Sequence, residues 1–284
     1  MFKKLMVKVL VEDSVNKKRG DLIAKHGLSL LVEGERDNEK ISMLMDTGPS
    51  ADILLHNIKV LGEDLSKVRL VFISHGHYDH TGGLLGVIKY INKKALVIAH
   101  PKIFDMKLKI DPILEYIGSP FKQSEVEASG GVILLVKNSV KLANGIITSG
   151  EIEKNTVYEE VKNFWTVEEE IFKEDIMQDD QALIINVKGK GLVIVSGCAH
   201  SGIINTIRQA KKVTGIDDIY AILGGFHLNK ADKKRILFTT EELLKIDPKI
   251  VGPCHCTGTD AINQFVDVFG DRCKILKTGD VIIL

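Results

Sequence analysis

The chain reads as an α/β protein in which two β-sheets pack face to face with helices on the outside. Two observations predict this. The 284 residues divide into halves that echo each other, each opening with strand-like runs and continuing with strand–loop–helix units. The apolar runs between turn residues are short enough to be strands, and stripes of helical period follow several of them. No internal repeat of solenoid period is present.

Taken in order, Met6–Glu12, Leu28–Glu33 and Ile41–Met45 read as strands, the last stopped by Asp46-Thr47-Gly48-Pro49. Ala51–Asn57 reads as a helix and Leu70–Ile73 as a buried strand. A helix is expected to open at Thr81-Gly82-Gly83-Leu84-Leu85, with Leu84, Leu85, Ile88 and Ile91 on one stripe. Ala95–Ala99 is a further strand. From about 102 to 178 the pattern weakens to two β-like runs, Val132–Val136 and Gly145–Thr148, an acidic stretch at Glu168–Asp175 and the only tryptophan, Trp165. This region reads as a variable insertion over the front of a single domain spanning 1–284, where loops decide what is bound. The register then clears. Ala182–Val187 and Leu192–Ser196 form a hairpin about Lys188-Gly189-Lys190-Gly191. Ile203–Val213, Lys233–Leu244 and Ala261–Phe269 read as helices; Ile219–Leu223, Ile250-Val251 and Val281–Leu284 read as strands.

Composition narrows the function. Apolar residues make up 44% and charged ones 27%, ordinary for a soluble globular protein. Lys+Arg and Asp+Glu both number 38, which argues against a nucleic-acid binder relying on phosphate neutralisation. The four cysteines, Cys198, Cys254, Cys256 and Cys273, imply no disulfide framework and suit a reducing cytoplasm. The N-terminus lacks the features of a secretion signal, and no stretch approaches the roughly 20 apolar residues of a membrane span. A soluble, cytoplasmic protein with a small-molecule substrate is expected; the sequence does not specify its oligomeric state.

The most specific signal is Ser74-His75-Gly76-His77-Tyr78-Asp79-His80-Thr81-Gly82-Gly83, which places His75, His77, Asp79 and His80 within six positions directly after a strand. Imidazole and carboxylate are natural donors for zinc, iron or manganese. His75 and His77 leave an extended chain on one face, so the segment can aim two ligands at one ion and two at a neighbour. His200, His227 and His255 each follow a strand in a loop of small residues, as a convergent site at one sheet edge requires. His200 and His255 are read as ligands. His227 is a ligand, a substrate contact or a support. Asp46 either orients a ligand histidine or is a solvated turn residue. Asp180 either reaches the metals or serves a turn or cap. Cys198 is a soft ligand or a small buried hydrophobe. Cys254-His255-Cys256 resembles half a zinc knuckle with no second cysteine pair to complete it. His26 faces the cleft mouth on one reading, with nothing local to decide it; His56 and His100 read as ordinary helix and loop residues.

The run from His75 to Gly83 resembles the HxHxDH signature of the metallo-β-lactamase superfamily, and Met45-Asp46-Thr47-Gly48 resembles its upstream aspartate motif. The resemblance extends over nearly the whole chain. It points to a branch marked by Asp180-Gln181-Ala182-Leu183, Gly197-Cys198-Ala199-His200-Ser201-Gly202, Gly224-Gly225-Phe226-His227-Leu228 and Cys254-His255-Cys256-Thr257-Gly258. Members are described as metal-dependent hydrolases, some as dihydropterin–ribofuranosylaminobenzene phosphate synthases. The resemblance implies a four-layer αββα sandwich with two divalent metal ions, zinc foremost, along one edge. His75 and His77 would hold the first with one later histidine, and Asp79 and His80 the second with His255. Many relatives bridge the ions with an aspartate where this chain reads Cys198-Ala199-His200.

The leading expectation is hydrolysis of a phosphoester or acyl bond by metal-activated water, with Asp79 orienting that water or taking its proton. A transferase joining a dihydropterin diphosphate to an arylamine and a metal-dependent binding or sensor protein without turnover are the alternatives. A redox di-iron role is not expected, because such relatives carry a fused flavodoxin domain.

Overall fold

The computed structural model describes residues 1–36, 39–160 and 162–284. In chain order the first half contains β1 (Lys4–Val11), β2 (Ser29–Arg36), β3 (Glu39–Met45), α1 (Ala51–Leu61), β4 (Leu70–Phe72), α2 (Tyr78–Thr81), α3 (Leu84–Ile91) and β5 (Ala95–Ala99). The middle holds β6 (Leu108–Ile110), β7 (Leu114–Tyr116), α4 (Gln123–Ala128), β8 (Gly131–Leu135), β9 (Lys141–Ala143), β10 (Ile146–Thr148), β11 (Phe164–Glu168) and β12 (Ile171–Glu174). The second half contributes β13 (Ala182–Val187), β14 (Gly191–Ser196), α5 (Ile203–Thr214), β15 (Ile219–Gly225), α6 (Lys233–Ile246), β16 (Ile250–Cys254), α7 (Thr259–Phe269) and β17 (Val281–Ile283).

One sheet runs β17-β1-β2-β3-β4-β5-β8 and a second runs β16-β15-β14-β13-β10-β9. Their facing sides bury one apolar core that includes Leu30, Met43 and Phe72 from the first sheet and Leu183, Val195 and Leu223 from the second. A further core lies under α1, α3 and α4, with Leu54, Ile58, Leu84 and Val126 on the outer face of the first sheet. A third, with Ile203, Ile207, Ile236 and Phe265, seats α5, α6 and α7 on the second. The predicted four-layer αββα sandwich is what the chain adopts.

Strand direction positions the site. From β3 onward the first sheet is parallel, with Met45 opposite Phe72 and Phe72 opposite Ile98. In the second sheet β14, β15 and β16 are parallel, with Ser196 opposite Gly224 and Gly225 opposite Cys254. The carboxyl ends of these strands open into loops at one rim, where open α/β sheets place ligands.

Local chemistry explains several boundaries. Helix α1 begins at Ser50, whose side chain accepts from the Ile53 N–H, and runs past Asn57 to Gly62, which closes it at φ 69°. The helix expected to open at Thr81 is interrupted. A Cβ at Gly82 would lie 2.1 Å from the Pro49 carbonyl oxygen and one at Gly83 2.3 Å from that of Thr47, so these glycines let the Asp46–Pro49 loop touch the metal-motif segment. Strand β16 continues through Gly252-Pro253 because it lies at a sheet edge, where a missing N–H costs no ladder bond.

Residues 102–178 go to three places. Helix α4 and β8 extend the first sheet layer, β9 and β10 extend the second sheet, and β12-β11-β6-β7 form a separate antiparallel sheet. Buried Lys107 ties that small sheet to the rim. It donates to Asp175 Oδ2 (2.9 Å) and Asp179 Oδ1 (2.6 Å), while Asp179 Oδ2 accepts the Gly76 N–H at 2.7 Å. Burial pulls the Lys107 pKa down, but the two carboxylates outweigh it and hold it above the usual lysine value. No helix among the described residues is long and apolar enough to cross a membrane.

Candidate metal centre

Four strands deliver the site. His75 and His77 leave the end of β4, Asp79 and His80 follow in α2, and His200, His227 and His255 follow β14, β15 and β16. The backbone is bent to bring them in: Asp46, Ala199, His227 and His255 all adopt positive φ, between 46° and 58°. Such conformations are uncommon outside glycine and cluster where packing over-determines a functional loop.

The side chains form two adjoining groups. In the first, His75 Nε2 lies 3.0 Å from His77 Nδ1 and 3.3 Å from His200 Nε2. In the second, His255 Nε2 lies 3.3 Å from His80 Nε2 and 3.3 Å from Asp79 Oδ2, with Asp79 Oδ2 3.6 Å from His80 Nε2. All six residues are buried.

Outer contacts fix which nitrogen faces inward. Asp46 accepts from the Ser74 N–H and hydroxyl and from His80 Nδ1, each at 2.7 Å. The Ser74 hydroxyl, its proton spent on Asp46, receives His75 Nδ1 at 3.0 Å. His255 Nδ1 donates to Asp13 Oδ1 at 2.8 Å. Three rings are thereby held with the Nε2 lone pair directed at the others. Burial drives the His75 and His200 pKa values well down and takes His77 to about 3, leaving all three as neutral donors. His255 is opposite: burial favours its neutral form, yet Asp13 and Asp79 push its pKa well up. The two carboxylates thus favour positive charge at that corner of the site.

The model of the metallo-β-lactamase superfamily matches residues 23–178. A 7,8-dihydropterin-6-methyl-4-(β-D-ribofuranosyl)-aminobenzene-5′-phosphate synthase from Methanocaldococcus jannaschii is 37% identical over 269 residues, covering 91% of this chain and 90% of that protein. The chain belongs to the metallo-β-lactamase superfamily. An uncharacterized protein of the same organism is 31% identical over 95% of this chain and 99% of its own length. The crystal structure of Tm1679, described as a metal-dependent hydrolase of the β-lactamase superfamily, superposes with a TM-score of 0.82 at 28% identity, covering 98% of each chain.

Metal binding in this superfamily enzyme fits the donors present. With zinc–nitrogen bonds of about 2.0–2.1 Å, the edge of a coordination tetrahedron is about 3.3 Å. The His75–His200 and His80–His255 nitrogen separations, both 3.3 Å, have that length. Buried His77 Nε2 and His200 Nδ1 have no hydrogen-bond partner, so neither ring is committed to a purely structural network.

The remaining candidates divide. Cys198 Sγ sits 3.2 Å from His80 Nε2, inside the cluster. The His227 ring is 4.1 Å from that of His200 and its Nδ1 is unpartnered. Asp180 points its Oδ2 at the Ser201 N–H (2.7 Å), beside His200, and burial raises its carboxyl to about 6. Cys254 packs in the core between the sheets, away from any knuckle. His100 pairs with Glu151 and His56 with the Asp21 carbonyl, both outside the site. His26 does reach the mouth, 3.0 Å from Asp13 Oδ2 and 3.4 Å from Asp79 Oδ2. Sequence reading missed Asp13 and Glu12, which accepts the His255 N–H at 2.8 Å. Their only signal was an acidic pair ending a strand, as Asp46 does.

The expectation of a hydrolase is overturned. The synthase relative, matched over nine-tenths of both chains, favours the transferase alternative instead. The donor set that suggested water activation is Lewis-acid machinery and does not specify the nucleophile, so the residues alone could not separate the two reactions.

Proposed function

We propose that the chain is a synthase that joins the 6-methylene carbon of a 7,8-dihydropterin diphosphate to the amine of a ribofuranosylaminobenzene 5′-phosphate. The C–O bond to the diphosphate breaks, a C–N bond forms, pyrophosphate departs and the amine proton passes to solvent. The observation that carries this reading is the 37% identity to the methanogen synthase over 91% of the chain.

The cavity above the histidines supports it. Its volume of about 1290 Å³ exceeds the roughly 300–1,000 Å³ typical of single-ligand pockets, so two substrates can meet there. Phe164, Tyr158 and Phe238 offer faces to flat rings, and Lys109, Lys230 and Lys234 offer charge to phosphates.

In this reading His75, His77 and His200 hold one divalent ion and Asp79, His80 and His255 a second, zinc suiting the nitrogen-rich set. Bound there, the ions supply Lewis acidity toward the diphosphate oxygens. Asp46, Ser74 and Asp13 hold the rings in place, and Phe164, 5.4 Å from the His77 ring and 5.2 Å from that of His200, closes one side against water. The four free cysteines suit work in a reducing cytoplasm.

The test is direct. Metal-replete protein given both substrates should release pyrophosphate and yield the coupled pterin–arylamine mass in equal amounts. Absence of the coupled product at every metal tried would refute the synthase reading.

A further inference from the structure

We infer that the Cys198 thiolate is a metal ligand shared by the two halves of the centre, occupying the position between the ions. The inference rests on the reading of this rim as a two-metal centre and is independent of the synthase assignment.

Three observations place the sulfur. It falls within 4.8 Å of ligand atoms of His75 and His80 together, of His200 and His227 together, and of His255 and Cys256 together. Cys256 joins the set with Cys198 and His255, and its Sγ is turned toward the Cys198 carbonyl oxygen at 3.4 Å. The loop is also cut to bring Cys198 close. A Cβ at Gly197 would lie 2.1 Å from Ser74 Oγ and 3.1 Å from Asp46 Oδ2, and one at Gly225 would lie 3.2 Å from Cys198 Cα. With Ala199 at φ 55°, the segment after β14 turns sharply enough to bring both Cys198 and His200 into the cluster.

The chemistry suits the place. Zinc–sulfur bonds of about 2.3 Å meeting at one atom reach two ions about 3.5–4 Å apart, the spacing of two-metal sites. Five of the six nitrogen and oxygen donors are imidazoles and the sixth is Asp79, so one carboxylate would otherwise face two divalent ions. A thiolate adds a second negative charge where both ions feel it. It also biases the centre toward zinc or cobalt over manganese, which prefers oxygen donors.

Cobalt-loaded protein tests this without reference to turnover. The wild type should bind two cobalt ions per chain by elemental analysis and show a sulfur-to-cobalt charge-transfer band in the near ultraviolet. Cys198→Ser should lose the band and about half the metal. Cys198→Asp should lack the band but recover both ions, because a carboxylate can also bridge. Cys256→Ser should keep the band. Circular dichroism and melting of the metal-free variants monitor folding, and Cys198→Asp serves if Cys198→Ser does not fold. A band that persists in Cys198→Ser or Cys198→Asp, or a wild type that binds cobalt without one, overturns the shared thiolate. A wild type that binds no cobalt removes the metal centre itself; failure of the pyrophosphate assay alone leaves the thiolate standing.

Discussion

At the level of single residues, the histidine cluster depends on groups that lie outside the candidate ligand set. Asp46 is bonded to three donors, two of which orient His80 and His75, whereas Asp13 orients His255 and also contacts His26 at the mouth. Such outer partners typically contribute about 10–100-fold to metal affinity. Asp46→Asn and Asp13→Asn should each weaken metal binding by about that factor while leaving the fold intact, as measured by competition with a chromophoric chelator. The sequence revealed one of these two residues. Asp46 stands in a turn next to a strand, in a recognisable motif. Asp13 lies 242 positions from its histidine, and nothing near it in the chain distinguishes it from a solvated loop acid. Chain separation also kept His26 undecided: its proximity to Asp79 exists only after the sheets have formed. By contrast His75, His77, Asp79 and His80 announced themselves because one short segment carries all four.

At the level of elements, long buried strands and capped helices were readable and short exposed strands were not. The β13–β14 hairpin and α5 follow from apolar runs, a Gly-containing turn and a closing Gly215. The small sheet eluded the sequence because its strands are three to five residues long, with β7 and β12 exposed along their length. Its central pairing, Lys109 with Phe164, spans a chain separation that no local periodicity can report. Lys107 anchors this sheet to the Gly76 backbone through Asp179. Lys107→Met would strand buried Asp179 and partly buried Asp175 and should cost about 3–5 kcal/mol in urea unfolding. The sign of its pH dependence follows from Asp179. Burial raises the Asp179 pKa, but Lys107 and the Gly76 N–H lower it more, leaving it below the ordinary aspartate value. A depressed acid contributes stability above its unfolded pKa of about 3.9 and loses it as pH falls through the folded value. In the variant, burial without Lys107 raises the Asp179 carboxyl above the ordinary value, so the gap between wild type and variant should be widest near neutrality and narrow as pH falls through that raised value toward the depressed value of the wild type.

At the level of the whole molecule, the αββα arrangement was legible because each half repeats the same order of elements, and the rim was legible because the ligand-type residues follow strands. Substrate choice was not, since it resides in a cavity whose walls come from both halves and the small sheet. Ligands that bind only the folded state stabilise it by mass action, by about 4 kcal/mol at a thousandfold excess over Kd. Chelation should accordingly lower the melting temperature by on the order of 10 °C, with zinc restoring it, as followed by scanning calorimetry.

Because His75, His77, Asp79 and His80 arrive from one sheet and His200 and His255 from the other, the donor set is complete only when the two slabs are seated in a single alignment. A slip of one residue along a strand, about 3.3 Å, would scatter the donors. Metal bound by this set would act as a rivet through both slabs. Emptying the site should speed amide exchange at this rim in both sheets together, while strands at the opposite border, such as β9, keep their protection.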